Sequence, residues 1–244
     1  MATLLVHMET SPFTWDSWSP ELKTYFKKRW FADFFKDNND DIDLPTELYD
    51  RFAYFPFTSK IIYLSLYDLE RNLGAVYFLS EAEQADDFTT ETGFVCKSRR
   101  EKELLEDFWE GAKNYDLFVT FNGHKYTLPF LYLRSTVYGI KPTVSIARQR
   151  FITKQNLPYH VDLMDEFSFY GAIARPSLVL LNEIYGLGYD LGGVRERGLG
   201  AERASTRSLR TQTALHTNHL LAIKDLFNIW KLNLAPPSFI NNYL

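Results

Sequence analysis

Two ionisable side chains sit close together near the start of the chain, in Leu4-Leu5-Val6-His7-Met8-Glu9. A short apolar run of this kind reads as a buried strand, and a strand alternates its faces. Leu5, His7 and Glu9 therefore share one side, and Leu4, Val6 and Met8 the other. An imidazole and a carboxylate side by side at a strand end can hydrogen-bond to each other or supply metal ligands. A third such group, His219, falls on a helix face with Leu215, Ala222 and Leu226, all within about 60° of one another at 3.6 residues per turn. That face is expected to point inward, and the simplest role for His219 is a core histidine satisfied by one hydrogen bond. His216, one turn earlier, is expected to be a partly exposed neighbour. Asp190 to Arg210 gathers Arg195, Arg197, Arg203, Arg207 and Arg210 against Glu196 and Glu202, with four glycines. It reads as a flexible, locally basic segment whose arginines could pair with phosphates. The acidic run Asp37 to Asp43 is calcium-like only in composition, because the loop positions needing Gly and a bidentate Glu hold Ile42 and Leu48.

The elements that must position these groups follow from patterning. The first strand breaks at Thr10-Ser11-Pro12. Ser19 is placed to cap a helix with Pro20 in its first turn, followed by Leu22, Phe26, Trp30 and Phe34 at four-residue spacing. Ile61 to Tyr67 and Ala75 to Leu79 form a hairpin around Asn72 and Gly74. Glu101 to Tyr115 is helical, with Leu104, Leu105, Phe108, Trp109 and Ala112 as its apolar stripe, and Leu117 to Phe121 is a central strand ending at Asn122-Gly123. Tyr126 to Gly139 is a helix that Thr127 is placed to cap, Val161 to Leu163 a short strand, Ser177 to Tyr185 a helix, and about Thr211 to Trp230 a last helix. The order predicts an α/β domain, a mixed central sheet flanked by helices, with an N-terminal helical insertion over 14–58.

With 244 residues, 45% hydrophobic and 16% aromatic, the chain can build one sizeable core, so 1–244 is expected to be a single domain with 190–210 as its flexible segment. A net charge of -4 excludes a bulk polycation, which leaves nucleic acid to be bound, if at all, by a local basic stripe. The lone Cys96 excludes an internal disulfide and a thiolate cluster. No signal-like start or run of about 20 apolar residues is present, so the expectation is a soluble, cytoplasmic protein with no membrane association.

Four strings together resemble one family: His7-Met8-Glu9-Thr10, Phe55-Pro56-Phe57-Thr58-Ser59-Lys60-Ile61-Ile62, Val119-Thr120-Phe121-Asn122-Gly123-His124-Lys125-Tyr126-Thr127-Leu128-Pro129, and Tyr159-His160-Val161-Asp162-Leu163-Met164-Asp165. They are similar to the DEDD 3′ to 5′ exonucleases, nearest the stand-alone enzymes related to the proofreading domain of family B DNA polymerases. The resemblance implies an RNase H-like fold and a nuclease in which four carboxylates hold two Mg2+ or Mn2+ ions. Carried onto this chain, those positions are His7, Glu9, Thr127 and His219. Only Glu9 keeps its carboxylate, and the family's general base falls on Leu215 or Ala214. The resemblance also places the Asn122-Gly123 turn beside the substrate, where Tyr126 could stack on a base and Arg195 and Arg197 could pair with phosphates. It brings His160 and Asp162 near the site, as supporting residues.

Hard divalent ions require oxygen ligands, so two imidazoles and a hydroxyl in place of three carboxylates remove most of the charge that would hold Mg2+. The leading expectation is an exonuclease-fold protein whose two-metal site is degenerate and which binds single-stranded DNA or RNA. Two alternatives follow from the same residues. One is a mononuclear site of His7, Glu9 and His219 for Zn2+, Mn2+ or Fe2+, or for no metal at all; the other is a protein-interaction module built on the aromatic insertion.

Overall fold

The computed structural model describes residues 1–32, 50–79, 86–146, 149–192 and 208–243. Arg195, Arg197, Arg203, Arg207, Phe34 and the acidic run at Asp37 to Asp43 lie outside the described residues.

Seven strands form one mixed sheet: β1 (Thr3–Pro12), β2 (Ser59–Asp68), β3 (Leu73–Leu79), β4 (Phe88–Thr89), β5 (Val95–Arg99), β6 (Leu117–Thr120) and β7 (Tyr159–Asp162). Their order across the sheet is β4-β5-β3-β2-β1-β6-β7. The hairpin of β2 and β3 is antiparallel, and β1 lies between β2, antiparallel, and β6, parallel, with β7 parallel beyond it. Central β1 is thus buried on both faces over Leu4, Leu5 and Val6, and becomes half-exposed at His7, Glu9 and Ser11. His7 and Glu9 lie just past the level of Val6, where β6 and β7 end and β1 continues alongside β2 alone.

The two faces carry different helices. Leu5, Val119 and Val161 pack with Leu220, Ile223 and Phe227 of the long helix α6 (Leu209–Asn233). Leu4, Val6, Met8 and Phe118 pack with Leu104, Phe108 and Trp109 of α2 (Glu101–Ala112) and Leu131 of α3 (Leu128–Val137). The period-2 alternation of β1 decides this division, and His7 and Glu9 follow Leu5 onto the α6 side. Three short helices complete the described chain: α4 (Leu163–Phe167), α5 (Leu178–Ile184) and α7 (Pro237–Tyr243).

In the insertion, α1 (Pro20–Arg29) begins where Ser19 accepts a hydrogen bond from the Leu22 N–H at 3.3 Å. Its Phe26 meets Phe31 and Phe52 in a small aromatic core of its own, flanked by Trp15, Trp18 and Trp30. The insertion is fastened to the main core at Arg134, whose guanidinium grips Glu101 through Nε at 2.9 Å and Nη2 at 2.7 Å and donates to the Pro56 carbonyl at 3.1 Å.

Two sequence expectations are corrected. Thr127 does not cap a helix: its backbone is already helical (φ -58°, ψ -49°), it makes no capping bond, and a π-helical turn over Gly123–Thr127 runs directly into α3. The true break is one turn earlier, where Asn122 adopts a left-handed conformation (φ 66°). The other correction concerns α6, where Ala222 and Leu226 are buried as expected but the seam is wider, taking in Thr213, His216, Thr217, Leu220, Ile223 and Phe227. His216 is buried, 4% exposed, whereas Leu215 and His219 are only half-buried at the seam's margin.

Candidate functional site

Helix α6 crosses the sheet over β1, β2, β3 and β6, and this brings three imidazoles to the end of β1. The His7 and His219 rings stack at 4.6 Å with planes 10° apart, and the His216 ring lies 5.5 Å from His7. Glu9 Oε2 is 3.1 Å from His216 Nε2, an ion-pair distance when His216 is protonated. The other face of His216 rests on Tyr63 at 4.2 Å, and Tyr63 donates its hydroxyl to Gln212 Oε1 at 2.6 Å. Tyr63 is the register partner of Glu9, and the pairing slips by one residue between Glu9 and Thr10. Such a bulge bends the strand and re-aims the residues beside it.

The fold therefore gathers His7, Glu9 and His219 as the resemblance implies, and adds His216, which sequence reasoning set outside the site. His219 Nδ1 lies 2.8 Å from the Leu215 carbonyl, which makes Nδ1 the protonated nitrogen and leaves Nε2 with the lone pair. Two parallel stacked rings direct their in-plane lone pairs side by side. A single ion shared by His7 and His219 would therefore require one ring to leave the stack.

A pair of Mg2+ ions does not fit this donor set. Glu9 is the one carboxylate among the four family positions and it is engaged with His216. Thr127 contributes at most a buried hydroxyl.

A second polar cluster lies on the opposite face of the sheet. His160 and Asp162 alternate with Val161, so they project to the α2–α3 side, away from His7 and Glu9. The expectation that they support the His7 site is thus corrected by strand alternation. Thr120 and His160 Nε2 are 2.8 Å apart, His160 Nδ1 and His124 Nε2 3.2 Å, and His124 Nδ1 and Asp165 Oδ2 2.9 Å. With Asp165 as the terminal acceptor, the protons are ordered: His124 donates from Nδ1, His160 donates to His124, and the Thr120 hydroxyl donates to His160. Asp165 also takes Arg150 at 2.6 and 2.8 Å and Arg175 at 2.8 Å.

Asp162 serves the Asn-Gly turn from below, accepting from the Asn122 N–H at 2.8 Å and the His124 N–H at 2.9 Å while it caps α4 at Met164. Gly123 is required here, since a Cβ would lie 2.0 Å from Thr120 Oγ1 and 2.9 Å from His160 Nε2. Nothing in the spacing marks Arg150 and Arg175 as partners of Asp165, because both approach it from loops.

Among the described residues, His124, Asp162 and Asp165 form the group whose donor atoms converge within 4.8 Å of one another. Their chemistry is already satisfied. Both aspartates are held below the usual carboxylate range by hydrogen bonds that outweigh their burial, Asp165 by Arg150 and His124, Asp162 by His124. Burial, reinforced by the neighbouring His124, pushes His160 down to about 3, so it is neutral in the native protein. An unfolded His160 titrates near 6.5, so the unfolded state binds the extra proton first as pH falls. Stability is expected to be full above pH 6.5 and to fall by about 1.4 kcal/mol per pH unit between pH 6.5 and 4 from this group alone. Urea unfolding at pH 7 and pH 5 measures that slope, and His160→Gln should flatten it.

Comparison with known proteins agrees with this architecture. Residues 72–192, just under half of the chain, match the family model described as a predicted 3′-5′ exonuclease related to the exonuclease domain of PolB. The family B DNA polymerase of the hyperthermophilic archaeon Pyrobaculum calidifontis is structurally similar, with a TM-score of 0.53 at 12% identity. That similarity covers 95% of this chain and 24% of the polymerase. Over 72–192 the chain is thus similar to that exonuclease family, and its mixed α/β fold is similar to part of the polymerase. No curated protein matches the chain by sequence. The matched segment takes in Thr127 and the Asn122-Gly123 turn, and excludes β1 and α6, which carry His7, Glu9 and His219. No described helix is long and apolar enough to cross a membrane.

Proposed function

We propose that this exonuclease-like domain binds single-stranded nucleic acid in the groove between the end of β1, the Asn122-Gly123 turn and α6, and does not hydrolyse it with two Mg2+ ions. The observation that carries the reading is the donor set on β1, the π turn and α6. It comprises His7, Glu9, Thr127 and His219, with the single carboxylate paired to His216 at 3.1 Å. Imidazoles and a hydroxyl cannot supply the anionic oxygens that hold hard divalent ions beside a phosphodiester. A groove in which three of the four carboxylates are replaced also repels a phosphate backbone less, and a protonated imidazole there can donate to phosphate oxygens. Tyr126 and the Asn122-Gly123 turn border the groove, and Arg195 and Arg197 belong to the basic segment that enters α6. The mononuclear reading of His7, Glu9 and His219 draws support from the fixed Nδ1–H of His219, but it requires the His7–His219 stack to open.

The test uses end-labelled single-stranded DNA and RNA of about 12 nucleotides with Mg2+ or Mn2+. Binding that weakens with added salt, without 3′ shortening, is the expected result. Robust shortening, or no binding at 50 mM salt, would overturn the reading.

A further inference from the structure

Of the aromatic residues in the insertion, Phe26, Phe31 and Phe52 fill its core, but the segment that follows turns its rings outward: Tyr54 is 63%, Phe55 37% and Phe57 46% exposed. We propose that Tyr54, Phe55 and Phe57 form a stacking platform for the bases of single-stranded nucleic acid, beside the end of β1. This rests on the reading that the groove binds such a strand.

The rings are held rather than trailing. Phe55 sits edge-on to Trp30 at 5.0 Å and to Phe57 at 5.5 Å, so the pair is buttressed from the insertion's core. Tyr54 lies 5.9 Å from Tyr126, whose hydroxyl is 2.6 Å from Thr10 Oγ1, and Thr10 Oγ1 donates to the Ala53 carbonyl at 2.6 Å. Thr10 follows Glu9 directly, on the far side of the bulge. The platform is therefore continuous with the groove through one side chain, and a strand whose end reaches Glu9 would pass over it.

Charge decides the kind of occupant. Arg51 precedes Tyr54 by three residues in a 3₁₀ turn (Asp50–Tyr54), where such residues eclipse, so an exposed guanidinium and an exposed ring share one side. Lys125, also exposed, adjoins Tyr126. Exposed rings flanked by separate cations suit a chain of alternating bases and phosphates. Bases stack on the rings whatever their sequence, and the phosphates find the cations.

Fluorescence anisotropy with a 12-nucleotide single strand, and with the same strand carrying abasic sites over its last three positions, reads the proposal. The expected pattern is a loss of about tenfold in affinity for Tyr54→Ala and for Phe57→Ala on the intact strand, with both variants weakened less by abasic substitution than the parent is. Tyr54→Phe should retain the parent's affinity within about twofold, which separates lost stacking from lost folding. Lys125→Ala should instead flatten the salt dependence by about one unit of slope. If the parent binds and both alanine variants bind equally well, the platform is overturned while the groove reading stands. If the parent binds neither strand, both fail. A parent that binds intact and abasic strands alike places no base on these rings and also overturns the platform.

Discussion

Arg134→Met is expected to lower the free energy of unfolding by about 3–5 kcal/mol, the usual consequence of removing one partner from a buried ion pair. Both side chains of the Arg134–Glu101 pair are 4% exposed. Glu101 is the first residue of α2, and its oxygens also accept from the Ile61 N–H at 2.8 Å and the Tyr138 hydroxyl at 2.8 Å. Those two neutral donors cannot compensate a whole negative charge once the guanidinium is gone. The arginine also lies over the Phe13 and Tyr138 rings, so its loss loosens α2, α3, the start of β2 and the insertion together. Urea unfolding at pH 7 measures the cost. The double variant Arg134→Met with Glu101→Met is expected to be more stable than the single Arg134→Met, because it removes the stranded charge as well. A single variant within about 1 kcal/mol of the parent would mean that the pair contributes little.

How much of this could be read from the sequence depends on how local each cause is. The alternation of Leu4 to Glu9 placed His7 and Glu9 on one face because side-chain direction in a strand has a period of two, and Ser19 with Pro20 marked the start of α1 because a cap acts within three residues. Strand β5, Val95–Arg99, was not legible. Cys96 and Ser98 face inward between Val95, Lys97 and Arg99, a polar strand without a hydrophobic run beside the two-residue edge strand β4. In α6 the stripe through Leu215, His219, Ala222 and Leu226 marked only one side of the real seam: Ala222 and Leu226 are buried, but the seam extends round to Thr213, His216 and Thr217, polar residues buried by tertiary packing that periodicity discounts.

The long-range pairs were the least legible. Glu9 with His216, Asp165 with Arg150 and Arg175, and Thr10 with Tyr126 each join residues whose proximity is a product of sheet order and helix crossing. The basic segment's Arg210 illustrates the same limit: it belongs to α6 and lies over the Phe88 ring at 5.0 Å.

Restoring the three carboxylates is the experiment with the largest expected change in activity. His7→Asp, Thr127→Asp and His219→Asp together would stand with Glu9 as four anionic oxygen donors on β1, the π turn and α6. The combined variant is expected to shorten single-stranded DNA from its 3′ end in Mg2+ or Mn2+, and chelator should abolish this. The three changes must act together. Thr127 is 2% exposed, and an aspartate there without a cation is a buried unpaired charge that favours unfolding. Glu9 must also be released from His216, so His216→Leu should raise metal affinity in the restored background. Turnover is expected to be slow, because Leu215 and Ala214 offer no general base. Adding Leu215→Tyr should raise the rate by about 10²-fold, the lower end of what a positioned base contributes. Leu215 is half-buried one turn before His219, at the margin of the α6 seam, so a tyrosine placed there can reach the groove. If the folded variant binds Mg2+ and still leaves the strand intact, the substitutions at His7, Thr127 and His219 are not what separates this domain from a nuclease, and the path of the strand through the groove must differ instead.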